Sequence, residues 1–169
     1  MTTLLQLDKF GAEWFNDQMR RRGFAVERKF VFWRKRGPLF DMFMPHIMSG
    51  GGHLKVHISI WSPWGDHPDT GELGDFPPAY TSVGGVLSEM FPDRLRDEFT
   101  FDISTEEETL ASFRQILALI DQRALPWFRS VDSYASYVAY IDARLFEGTS
   151  EWRNQLKKGM AKGFELEPF

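Results

Sequence analysis

Four histidines and a set of acids between positions 46 and 75 are the residues of this chain best placed to do chemistry. His53 and His57 stand four apart in an alternating stretch, so both project to one face of a strand. His46 lies near the end of the preceding stretch, where a hairpin would bring it beside His53. Asp66, His67 and Asp69 follow in a loop and add nitrogen and oxygen ligands. Such a cluster could hold zinc or another divalent ion, and the enzymatic reading is a small metal-dependent hydrolase using His53, His57, Asp66 and His67. The spacing does not support it. There is no HExxH helix and no His/Cys finger, and the loop lacks the alternating oxygen ligands of a calcium site. His57, alternating with Lys55 and Ser59, reads more simply as part of a polar face. No metal or cofactor is assigned; His53, His57 and His67 are the candidates were one bound.

Other reactions find less support. Ser59, Ser62 and Ser82 lack the GxSxG surround of an elbow nucleophile. Asp66, Asp69, Glu72 and Asp75 could pair as acid and base, yet they occupy a Gly/Pro-rich loop, where solvated acids are the default. Gly50-Gly51-Gly52 has no following Lys and Ser/Thr, and it joins strands rather than opening a helix, which excludes a phosphate loop. No catalytic residue is assigned, and whether the chain is an enzyme stays open, with binding favoured. The same loop reads better as a contact surface. Trp61, Trp64, Phe76 and Tyr80 sit among the four acids, and aromatic anchors with an acidic surround suit a basic protein partner. The partner-binding residues are therefore Trp61, Trp64, Asp66, Asp69, Glu72, Asp75 and Phe76. The plainer alternative has Trp61 and Phe76 folding back to plug the end of the sheet.

Composition bounds the partner. With 24 acids against 20 Lys and Arg, the formal charge is −4, which disfavours nucleic acid. No apolar stretch reaches the roughly 18 residues of a membrane span, and MTTLLQLDKF lacks the basic start of a secretory signal. With no cysteine, disulfides and thiolate sites are excluded and a cytoplasmic location is expected. Sixteen Phe and six Trp in 169 residues imply a core of large rings and some rings left for contact.

The elements that hold these residues read as follows. Leu7–Arg22 is a helix with Phe10, Trp14, Phe15 and Met19 in its apolar stripe, Asp8 as cap, and Arg20, Arg21 and Arg22 before a Gly23 stop. Phe24–Arg36 is one strand, and Leu39–Met48 a second that Pro45 ends, bulges or confines to an edge. Leu54–Trp61 is a third, with Leu54, Val56, Ile58 and Ile60 on one face. Thr81–Phe91 has helical spacing weakened by Gly84-Gly85, and Phe99–Ile103 is a fourth strand. Thr105 and Glu108 make a capping box for a helix whose stripe is Leu110, Phe113, Leu117 and Ile120. Pro126 interrupts it, Asp132 caps a helix bearing Tyr134, Val138, Ile141 and Leu145, and residues 150–162 form a weaker last helix. Strands grouped before helices predict an α+β fold: an antiparallel sheet of about four strands, helices on one face, in a single domain over 1–169 whose core is about 7–146.

Several strings resemble the bacterial family catalogued as domain of unknown function 4304. They are Arg22-Gly23-Phe24 at the end of the first helix, the basic and aromatic Phe30–Arg34, the alternating Leu54–Ile60, and Ala124-Leu125-Pro126. The resemblance covers roughly Phe10 to Arg144. The resemblance carries no catalytic signature. Small acidic bacterial proteins of this sort resemble immunity or antitoxin proteins that neutralise a cognate toxin, so it implies an inhibitor binding a basic toxin domain. A homo-oligomeric structural module is the remaining alternative.

Overall fold

The computed structural model describes residues 11–28, 30–37, 39–48, 51–62, 83–86 and 101–144. Among them the chain runs helix, strands, helices. Helix α1 is Ala12–Arg21. Six strands follow: β1 (Ala25–Arg28), β2 (Val31–Arg36), β3 (Leu39–Ile47), β4 (His53–Trp61), β5 (Val83–Val86) and β6 (Phe101–Asp102). Helix α2 (Glu106–Leu119) passes through a π turn, Ile120–Ala124, into α3 (Leu125–Ser130), and α4 is Tyr134–Arg144. The sheet is antiparallel in the order β1-β2-β3-β4-β5, and β6 pairs with the start of β4, His53 opposite Asp102 and Leu54 opposite Phe101. Two residues join β2 to β3 and five join β3 to β4, connections that only antiparallel neighbours can use. The fold is α+β, as predicted.

The differences from the predicted elements have physical causes. Phe24–Arg36 is two strands rather than one. A tight turn with Phe30 at φ 61° reverses the chain, and a bulge between Val26 and Arg28 takes up the odd residue. A left-handed phenylalanine is rare, and no Gly, Asn or Pro marks the turn. Val83–Val86, Gly84-Gly85 included, is a strand rather than a helical turn. Strand β3 continues through Pro45 to Ile47; it outruns its six-residue neighbour β2 by three residues, and Pro45 lies in that extra length.

Helix α1 starts later than predicted. Gly11, in the left-handed conformation, occupies its N-cap, and no side chain caps it; a Cβ on Gly11 would lie 2.8 Å from Leu110 Cδ2. Asp8 does not cap this helix, and it and Phe10 lie outside the described residues. At the other end Phe24 N–H donates to the Met19 carbonyl and Gly23 N–H to that of Arg20, the paired bonds of a glycine-closed terminus. The buried stripe is Ala12, Phe15 and Met19, and Trp14 stands 39% exposed on the other side. Arg22 extends the helix end into a two-pronged ion pair with Asp121, both bonds 2.7 Å.

The chain divides into two compact units, neither a contiguous stretch. One comprises Met1–Arg34, Met42–Ile58 and Gly84–Pro126. Its centre is a ring cluster: Phe15 of α1 meets Phe113 of α2 at 4.7 Å and Phe32 of β2 at 5.5 Å, Phe30 joins both helices' rings, and Phe32 meets Phe43 of β3. Each of these rings is at most 3% exposed, and burying so many rings is the main apolar contribution to this unit. The predicted capping box is present: Glu108 N–H donates to Thr105 Oγ1 and Thr105 N–H to the Glu108 carboxylate. Of the predicted stripe, Phe113, Leu117 and Ile120 are buried and Leu110 is half-buried.

The other unit comprises Lys35–Asp41, Ser59–Val83 and Trp127–Phe169. Here Phe40 meets Trp61, and the α4 rings Tyr134 and Tyr137 stack beside each other. Ser133, rather than Asp132, caps α4: Ser136 N–H donates to Ser133 Oγ and Ser133 N–H to Ser136 Oγ, a reciprocal cap that the adjacent serine reaches with the shorter geometry. Asp132 instead accepts from the Ser136 hydroxyl.

Candidate functional site

Strand β4 carries the root of the predicted contact loop. Its alternation places Leu54, Val56, Ile58 and Ile60 at 1% exposure or less, the face predicted for the core. The other face is not solvated at its far end. Trp61 is 2% exposed and packs on Phe40 with ring centroids 5.5 Å apart. Its assignment as a partner-contact residue is corrected: a ring this buried presents no surface to a partner. Ser62, next in line, is equally buried, and its hydroxyl reaches the Tyr134 phenol at 3.4 Å. Burial raises the Tyr134 pKa above its ordinary 10.0, with the Ser62 contact acting weakly the other way; the phenol is neutral at physiological pH. The described part of β4 and its end therefore close on two buried residues, Trp61 and Ser62. Trp64, Asp66, His67, Asp69, Glu72, Asp75 and Phe76 lie outside the described residues, as does Tyr80.

Of the three described histidines, His46 is not brought beside His53 as the hairpin reading had it. His53 Nδ1 lies 2.6 Å from an Asp102 carboxylate oxygen, the pair the β4–β6 register sets opposite each other. Both side chains are at least half exposed, so the contact contributes little to stability. His46 meets His57, not His53: their rings stand edge to face, 4.8 Å apart and 81° between planes. Among the described residues no three His, Cys, Asp or Glu side chains come together to hold a metal ion. His53 and His57 thus have different neighbours rather than a shared site.

A buried ion pair was missed. Arg36 closes β2, Asp41 lies five residues on in β3, and their side chains are 3% and 0% exposed. The Arg36 guanidinium donates to both Asp41 oxygens, through Nε at 2.9 and 2.8 Å and Nη2 at 2.7 Å, and Nη1 donates to the Val131 carbonyl at 2.9 Å. A buried charge is tolerated only when paired and hydrogen-bonded, and this fork meets both conditions. The hairpin turn at Gly37 thereby ties the linker before α4 to the sheet residues of its own unit. A signal was present in the sequence: a lone carboxylate inside the apolar run Leu39–Met44 needs a cationic partner, and Arg36 is in reach across a two-residue turn. Ser59 is also buried, and its hydroxyl has no hydrogen-bond partner among the described residues.

Among the described residues the Tyr134 phenol is kept neutral by burial, the Asp41 carboxylate is paired with Arg36, and His53 and the His46–His57 pair have separate contacts. Charge along the chain is what stands out. Between Lys55 and Arg94 there are six acids (Asp66, Asp69, Glu72, Asp75, Glu89 and Asp93) and no lysine or arginine. The remaining residues hold eighteen acids and twenty Lys and Arg, and a second run without Lys or Arg, between Arg96 and Arg114, carries six of those eighteen (Asp97, Glu98, Asp102, Glu106, Glu107 and Glu108). No described helix is long and apolar enough to cross a membrane. The sequence matches no protein-family model, no curated protein and no solved structure.

Proposed function

We propose that this chain is a protein-binding module of the immunity type, which neutralises a cognate bacterial toxin in the cytoplasm by covering a basic surface of it. The carrying observation is the run of six acids without an intervening Lys or Arg between Lys55 and Arg94, all of them following the buried Trp61 and Ser62. Anchors fixed at the root lower the entropy lost when a segment is ordered against a partner. Acids without interspersed cations steer a basic partner and repel acidic ones. Trp64 and Phe76, set among those acids, supply ring area of the kind that dominates binding energy. No metal, nucleic acid or membrane takes part in this reading.

The test is reconstitution. The tagged chain is expressed in its native cell, a co-purifying protein is identified and purified, and binding is measured directly. A basic enzyme that binds one-to-one and loses its toxicity on binding is the expected result. Joint replacement of Asp66, Asp69, Glu72 and Asp75 by alanine should weaken that complex by at least about tenfold, the cost of roughly 1.4 kcal/mol spread over four charges. An affinity unmoved by those four changes would sink the proposal.

A further inference from the structure

We propose that the outward side of helix α1 is a weak self-association surface, on which a second copy of this chain docks its own α1 antiparallel about a two-fold axis. Trp14 is the one large apolar side chain exposed among the described residues, at 39%. It shares the exposed side of the helix with Glu13, Asp17, Arg20 and Arg21, while Ala12, Phe15 and Met19 face the core. Asp17 and Arg20 bond each other at 2.6 Å. Trp14 and Arg21 have no hydrogen bond, ion pair or ring contact among the described residues. Two turns of helix separate them, so they lie on nearly the same line of its surface, about 10 Å apart along the axis. That is beyond the roughly 6 Å at which a guanidinium is attracted to an indole face, and within one chain the two do not meet.

An antiparallel copy joins them twice. A two-fold axis passing between Asp17 and Gln18 sets Trp14 of each copy opposite Arg21 of the other, because the two residues are equally distant from that point. The same operation lays the acidic first half of each helix, Glu13 and Asp17, along the basic second half of the other, Arg20 and Arg21, and opposes the two helix dipoles. A parallel pairing would set Arg21 against Arg21 and Glu13 against Glu13, which like-charge repulsion disfavours. The surface is therefore complementary to itself, as a two-fold contact requires, and Trp and Arg are the side chains that dominate such contacts. The ten-residue helix is about 15 Å long, too short for the area of a permanent dimer, so the association is weak and concentration-dependent. Helix α1 carries none of the residues assigned to toxin binding, so this contact stands or falls independently of that reading.

Sedimentation equilibrium of the full chain from about 20 μM to about 1 mM, a range suited to a weak interface, tests this. A monomer–dimer equilibrium is expected. Trp14→Ala and Arg21→Ala should each weaken it by about five- to thirtyfold, since each removes both cation–π contacts of the dimer at once. Both side chains are exposed, so an unchanged Tm separates this loss from misfolding. The two variants mixed should form a heterodimer about two- to fivefold tighter than either variant's own dimer, because the intact Trp14 of one then meets the intact Arg21 of the other. A chain that stays monomeric throughout, a dimer unmoved by both substitutions, or a mixture no tighter than its components would overturn the proposal.

Discussion

Asp41 and Arg36 show how a single side chain can hold more than a hydrophobic contact does. Asn at position 41 keeps the shape but leaves a buried guanidinium without its counter-charge, which costs about 3–5 kcal/mol. Urea unfolding of Asp41→Asn should show that loss, and the joint change Arg36→Met with Asp41→Leu should recover most of it, since a well-packed apolar pair needs no charge partner. Tyr134 gives a pH dependence with a definite sign. Its folded pKa is raised above the ordinary 10.0 by burial. Between those two values the unfolded chain has released a proton that the folded chain keeps, so stability is undiminished below pH 10 and falls as pH climbs through the folded value. Comparing denaturant midpoints of the parent and Tyr134→Phe from pH 8 to 11 checks this: the decline should be shallower in the variant. At this scale the sequence was only partly legible. Trp61 looks the same in a string whether it anchors a partner or packs inside the fold, and burial decides between them.

Among the elements, those with local and complete chemical signals were read correctly. Thr105 and Glu108 satisfy each other's backbone across one turn, and neither depends on anything distant. Thr105→Ala should therefore destabilise the fold by about 0.5–2 kcal/mol, with the loss seen as a lower Tm in calorimetry. The same logic explains what was missed. Asp132 and Ser133 are both capping residues, and only the entry angle of the chain chooses between them. Pro126 signals a break, but the π turn absorbs it: Leu125 N–H reaches back to the Ile120 carbonyl, widening the turn just before the residue that lacks a donor. Helix α1 was placed too early because Gly11 acts as its cap through backbone conformation, against an α2 side chain that lies 99 residues away in sequence.

For the molecule as a whole, strands before helices were enough to give α+β, because packing faces follow from period and order alone. The sheet's strand count and the ion pair were not, since both depend on which residues meet across the sheet. The charge distribution is legible without coordinates and leads to a kinetic expectation. If the segment beyond β4 steers a basic partner, raising ionic strength from about 50 to 500 mM should lower the association rate far more than it raises the dissociation rate, since screening acts on long-range approach. Stopped-flow measurement at both salt concentrations checks this, and equal sensitivity of the two rates would assign the acids to close contact instead.

The turn at Phe30 bears on how the chain reaches this fold. A left-handed phenylalanine is unfavourable in isolation, so β1 and β2 lack the local bias that lets a glycine- or asparagine-turned hairpin close early. What holds the turn is the packing of the Phe30 ring against Phe15 and Phe113, one from the first helix and one from a helix that begins after residue 105. The β1–β2 turn is therefore held by rings brought from far along the chain rather than by its own residues, and a fragment ending before α2 should show a weaker β1–β2 hairpin by NMR than the full chain.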